Sequence, residues 1–196
     1  MKKRVFIIHG WDGSPQENWF PWLKRELEVR NFEVIVPQLP KPEEPRISNW
    51  IPFLEKIVIN PDINTYFIGH SMGCQAVARF LERLPNNIIV GGAIFVAGFF
   101  KRLTNLEDDD VTNSVAKEWL VSSLDLKKVK THLKNSVAIF SDNDPYVPLD
   151  NQEEYIDYLE SKIVVEHNKG HFNSGAGITE LPFVLEAVLE ISKRGN

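Results

Sequence analysis

Gly69, His70, Ser71, Met72 and Gly73 place one hydroxyl midway between two glycines, directly after the apolar run 65–68 and before an amphipathic stretch. This is G-x-S-x-G in the strand-to-helix setting that gives the pattern its meaning. The chemistry it suits is nucleophilic attack on an acyl carbon. A sharp turn forces the serine into strained backbone geometry, and side chains two residues before and after it would collide with neighbouring backbone, so glycine occupies both places. The hydroxyl then stands at a helix N-terminus, where backbone N–H groups can hold an oxyanion. Ser71 is the candidate nucleophile and the Met72 N–H a candidate oxyanion donor. His70 adjoins Ser71, but neighbouring elbow side chains diverge, so it reads as a packing residue. Cys74 reads as a small buried hydrophobe.

A second oxyanion donor in such a site comes from the loop after the first strand. Here that loop is His9, Gly10, Trp11, Asp12, Gly13, and the Trp11 N–H is the candidate. His9 reads as a loop-ordering or core residue. Neither G-x-G-x-x-G nor G-x-x-x-x-G-K-[ST] occurs, so nucleotide binding has no support.

Where a serine stands on such an elbow, the partners follow in the order serine, acid, histidine. His9 and His70 fail that order and His132 lies in a long connection. His171, in a loop after a late strand, is the favoured base, with His167 at that strand's end as its competitor. Three carboxylates follow the run 137–140. Asp150 has Glu153 three residues on, the spacing of a capping box, which engages its carboxylate with helix N–H groups. Asp142 braces the turn. Asp144, held extended by Pro145, projects toward the histidine loop and is the candidate orienting acid.

These groups need a scaffold that brings distant loops to one edge. Apolar runs at 5–8, 33–37, 65–68, 88–96, 137–140 and 163–166 are continuous rather than alternating, as in strands buried on both faces. They alternate with amphipathic segments, so the fold class is α/β, a six-stranded parallel sheet with helices on both faces. Ala76, Val77, Phe80, Leu81 and Leu84 recur at helical spacing, as do Val184, Ala187, Val188 and Ile191, and both stripes should face the sheet. The chain of 196 residues is expected to form one domain, 1–196. The connection 99–135 is too long for an ordinary link; with its acidic run from Glu107 to Asp110 and a helix around 114–121, it reads as an insertion over the site. Its aromatics Phe99, Phe100 and Trp119, with Trp11, are the candidate apolar rim of a substrate pocket.

Composition narrows the class. A net charge of -5 argues against a nucleic-acid partner. One cysteine, Cys74, permits no intramolecular disulfide, and no signal segment is visible, so the expected location is cytoplasmic. The apolar stretch 88–100 falls short of the roughly 20 residues of a membrane helix, so no membrane role is expected. The acidic run reads as a solvated face; Asp142, Asn143 and Asp144 start like a calcium loop that Tyr146 and Val147 break, so no metal site is expected.

Together, the His9–Gly10 pair, the elbow at 69–73, the stretch Ser141, Asp142, Asn143, Asp144, Pro145 with Val147 and Pro148, and the late Gly170, His171, Phe172 resemble the small α/β-hydrolases related to retinoblastoma-binding serine hydrolases and the bacterial YdeN proteins. The likeness runs over essentially the whole chain. It implies an α/β-hydrolase fold lacking the first two strands of larger members, and Ser71, Asp144 and His171 as a catalytic triad. It further implies a carboxylesterase-like serine hydrolase, needing no cofactor, that takes small acyl esters or aminoacyl compounds through an acyl-enzyme. No protein partner is indicated. The alternative is a partner-binding protein that retains the fold without the chemistry; the intact triad candidates argue against it.

Overall fold

The computed structural model describes residues 2–193. Among them, six parallel strands form one sheet: β1 (Arg4–Ile8), β2 (Glu33–Ile35), β3 (Thr65–His70), β4 (Gly92–Val96), β5 (Ser136–Ser141) and β6 (Lys162–Glu166), in the order β2-β1-β3-β4-β5-β6. The six apolar runs are these strands, with three differences. β2 stops at Ile35, two residues short of the run 33–37, and lies at an edge of the sheet with Glu33 exposed. β4 starts four residues later than the run at 88 predicts, because Val90 bridges instead to Leu133. β6 is an edge strand and only half-buried, where the sequence reading expected burial on both faces.

Among the described residues, seven α-helices cover the sheet: α1 (Phe20–Glu28), α2 (Ile47–Ile57), α3 (Met72–Glu82), α4 (Asp110–Val121), α5 (Leu126–Thr131), α6 (Gln152–Asp157) and α7 (Pro182–Lys193). Successive strand residues point to opposite faces, and β1 shows the result. Val5 and Ile7 pack under α1 and α7, against Phe20, Leu23, Val184 and Val188. Phe6 and Ile8 pack on the other face, against Trp50 and Leu54 of α2 and Val77 and Phe80 of α3. Both predicted stripes therefore face the sheet, on opposite sides.

The stretch 99–135 does both: residues between Phe99 and Thr112 line the cleft beside Ser71, and the rest is built into the core. Val115 and Trp119 of α4 and Val129 of α5 are fully buried in the second cluster. Arg79 of α3 donates to the carbonyls of Trp119, Ser122 and Ser123, placing a cation on the C-terminal end of α4. Glu118 accepts the Ile47 N–H at the start of α2 and pairs with Arg46. Trimming the stretch would cut the core, and Trp119→Ala should cost about 3–5 kcal/mol, the range for deleting a buried large aromatic. Urea unfolding checks this; a loss under about 1 kcal/mol would show that α4 is an appendage after all.

The strand order reverses direction between β1 and β3. In open parallel sheets the crevice beyond the carboxyl ends at such a reversal is where ligands sit. The loop 9–13 and the elbow at Ser71 both emerge there. No described helix is long and apolar enough to cross a membrane.

Candidate active site

Ser71 links β3 to α3 with φ 53° and ψ -121°, a region that L side chains rarely adopt. Its N–H donates to Val96 O across the sheet end, and its carbonyl accepts the Cys74 N–H. The flanking glycines are sterically required. A Cβ at Gly73 would lie 2.2 Å from Ile8 O, and one at Gly69 would lie 2.7 Å from the Cys74 backbone. Gly10 faces the serine itself, and a Cβ there would come within 3.0 Å of Ser71 Cβ.

Trp11 and Met72 line the same cleft as the serine, and among the described residues neither N–H donates to another backbone group. The loop carrying Trp11 is fixed by His9. Its Nε2 accepts the Leu39 N–H at 3.0 Å, which leaves Nδ1 protonated to donate to Gly10 O at 2.8 Å. Burial holds this imidazole below its ordinary range. His9 thus orders the loop, as its place in the sequence suggested.

The loops that carry Asp144 and His171 leave the parallel neighbours β5 and β6, whose register pairs Ser141 with Glu166. Asp144 Oδ2 lies 2.8 Å from His171 Nδ1, and its Oδ1 accepts the N–H groups of Tyr146 and Val147. Only 2% of the Asp144 side chain is exposed, against 11% for His171. Asp142 makes a second pair, 2.6 Å from His167 Nδ1, but 82% of that histidine's side chain is exposed and it lies outside the cleft. Geometry therefore separates the two histidines that the sequence left in competition. Asp142 also accepts the Asn168 N–H, and this bond, ahead of His167, holds its carboxyl below the usual range. Between the pairs, Ser141 Oγ accepts the Lys169 N–H and Asn143 Oδ1 accepts the Gly170 N–H.

Asp150 does not cap a helix. It lies inside a short 3-10 turn, Leu149–Asn151, and its carboxylate pairs with Arg102 and Lys101, the nearer cations. The buried Asn151 beside it accepts the N–H groups of Phe100, Lys101 and Arg102 and holds that wall of the site.

The cleft has a volume of about 610 Å³. Ser71, His171, Trp11, Phe99, Leu103 and Tyr146 are among its lining residues. Of the proposed aromatic rim, Trp11 and Phe99 line it, whereas Phe100 and Trp119 do not. Phe100 packs against Tyr155 instead, with ring centres 4.7 Å apart and planes tilted by 36°. Trp119 faces Trp50 in the core and donates its Nε1–H to Pro45 O. Aromatic type alone cannot distinguish a rim residue from a core residue. Asp12, Glu17, Glu43, Glu107 and Asp109 also line the cleft, and among the described residues no Lys or Arg does.

His70 is buried against Trp19 and Phe20, as its packing reading expected, but it also makes a bond that nothing nearby in the sequence announced. Its Nε2–H donates to the backbone carbonyl of His171 at 2.8 Å, and the two rings lie 5.0 Å apart. Burial first, and the His171 ring second, push its imidazole down to about 3 from an ordinary 6.5. Between those values the unfolded chain binds a proton that the folded chain refuses. Stability is therefore complete above about pH 6.5 and falls as pH drops toward 3, at up to about 1.4 kcal/mol per unit. Urea titrations at pH 7, 5.5 and 4.5 on the wild type and His70→Gln should show the gap between the two proteins changing in that window. A pH-independent gap would contradict a neutral buried His70.

A parallel sheet in this order, with a serine elbow over its switch point, defines the α/β-hydrolase class. Residues 5–190 match the family model described as serine hydrolase, and the chain belongs to that family. It is 33% identical over 188 residues to the YdeN protein of Bacillus subtilis, covering 96% of this chain and 95% of that one. The crystal structure of the B. subtilis ydeN gene product superposes with a TM-score of 0.88, covering 97% of this chain and 98% of that one. Serine hydrolase RBBP9 of Rattus norvegicus is 27% identical, over 87% of this chain and 88% of its own. A carboxylesterase of the thaumarchaeon Nitrososphaera gargenis shares the fold at 15% identity, with a TM-score of 0.74 and coverage of 100% of this chain and 92% of that one.

Proposed function

We propose that this serine hydrolase cleaves small acyl esters and related acyl compounds, as a single domain working in the cytoplasm, with Ser71, His171 and Asp144 as its triad. The observation that carries the reading is that strained Ser71 shares one cleft with a histidine whose Nδ1 is held by a buried, fully bonded carboxylate. That carboxylate keeps the proton on Nδ1 and leaves the Nε2 lone pair free.

Ser71 Oγ adds to the acyl carbon while Nε2 takes its proton. The carbonyl oxygen becomes an oxyanion between the Trp11 and Met72 N–H groups. Collapse of this adduct breaks the acyl–oxygen bond, and the alcohol leaves with the proton from Nε2. Water then repeats the sequence on the acyl-enzyme and frees Ser71. Among the described residues no hydrogen bond joins Ser71 to His171; such contacts often tighten only around substrate. The carboxylates lining the cleft favour neutral or cationic substrates over anionic ones.

The test is a fluorophosphonate probe on the folded protein, followed by peptide mass analysis. Stoichiometric labelling of the Ser71 peptide is expected. A folded protein that resists the probe would end this reading and favour the partner-binding alternative.

A further inference from the structure

Nucleophile and base, as proposed above, come from β3 and from the loop after β6, and β4 and β5 lie between those strands. Strand pairing does not set the distance between them. The Asp144 bond orients the His171 ring but ties it to β5, not to the elbow. Among the described residues, the one hydrogen bond between the elbow, 69–73, and the base loop, 167–174, is from His70 to the His171 carbonyl. Trp19, preceding α1, donates its Nε1–H to the next carbonyl, that of Phe172, at 3.0 Å. The His70 and Trp19 rings meet edge to face, 6.0 Å apart, and both side chains are buried. Phe172 is a buried aromatic held at φ 52°, a conformation it would not choose unaided. Asn18 secures the far side by accepting the Ser174 N–H at 2.8 Å.

We infer that His70 and Trp19 are positioning residues: their two N–H groups grip the consecutive carbonyls of His171 and Phe172 and so fix the base at its working distance from Ser71. The grip needs a donor at His70 Nε2, and the acceptor carbonyl dictates that tautomer. His70 takes no proton from substrate and touches none of the reacting atoms; it acts through the backbone of the base. This role rests on the hydrolase reading, and it predicts an effect confined to turnover. A displacement of the base by about 1 Å costs on the order of 100-fold in rate, while His70, though it lines the cleft, is only 4% exposed, so substrate binding persists on the other walls.

The test compares His70→Leu, which removes the donor, with His70→Gln, which offers an amide N–H at similar reach, and with Trp19→Phe, which keeps a ring but loses the Nε1–H. Each is assayed for kcat and KM on a neutral activated ester, for the fluorophosphonate labelling rate and for thermal melting. His70→Leu should lower kcat and the labelling rate roughly 10- to 100-fold with KM changed less than about threefold. Gln should restore most of the loss, and Trp19→Phe should lose kcat in the same pattern. A folded Leu variant with wild-type kcat, or a Gln variant as impaired as Leu, would overturn the inference. If Leu does not fold, Trp19→Phe decides: wild-type turnover there overturns the grip. Wild-type protein that never labels is a separate result, which removes the hydrolase reading itself.

Discussion

Ser71→Ala should abolish ester hydrolysis and fluorophosphonate labelling while melting at the wild-type temperature. The side chain makes no hydrogen bond that caps α3, so alanine removes no structural contact, and it accepts the same strained φ at about the same cost as serine. What disappears is the atom that the proposed mechanism bonds to substrate, and a loss of about 10⁶ in kcat is expected by analogy with triad serines elsewhere. Cys74 cannot substitute: it is fully buried in α3, and burial pushes its thiol up, away from the reactive thiolate. Steady-state kinetics, intact-protein mass after probe treatment and a thermal melt make up the measurement. Labelling that persists, or moves to Cys74, would overturn the nucleophile assignment.

Asp144→Asn should cost up to about 10⁴ in kcat/KM, again by analogy with a triad acid replaced by its amide. The amide oxygen can still accept the Tyr146 and Val147 N–H groups, which Asp144 Oδ1 holds at 2.9 and 3.0 Å, so the turn survives. The amide NH₂ then faces His171 Nδ1 and forces that nitrogen to accept. Nε2 carries the proton instead, and the base cannot take one from Ser71. Asp142→Asn should cost less than about tenfold, because its carboxylate meets exposed His167 and the Asn168 N–H, at a distance from the cleft. Measuring both variants on one activated ester decides the matter. A larger defect in Asp142→Asn would transfer the orienting role to the His167 pair.

Much of this arrangement is legible in the sequence because it is local. The elbow glycines, the places of the strands along the chain and the Asp144–Pro145 turn each follow from residues within a few positions of one another. The rest is not, because the bonds are long in sequence. His70 donates to a carbonyl 101 residues away, and Arg79 reaches carbonyls 40 and 44 residues on. Nothing in the periodicity near either residue announces its acceptor. The same limit explains Trp119 and Phe100, whose neighbours are set by how α4 and α6 pack. Asp150 shows a further failure: the spacing to Glu153 suits a cap, but Arg102 and Lys101, about fifty residues earlier, take the carboxylate.

Residues 167–171 form no helix or strand, yet the N–H groups of Asn168, Lys169 and Gly170 all donate to side chains at 141–143. In isotope exchange this irregular loop should behave as an extension of β6, with its amides opening only when the edge strand peels from β5. The base would then have no private mode of fluctuation. Its residence in the site would rest on the last pairing of the sheet together with the His70 and Trp19 bonds, so the conformational free energy that guards turnover would be that of one edge strand and its two side-chain anchors.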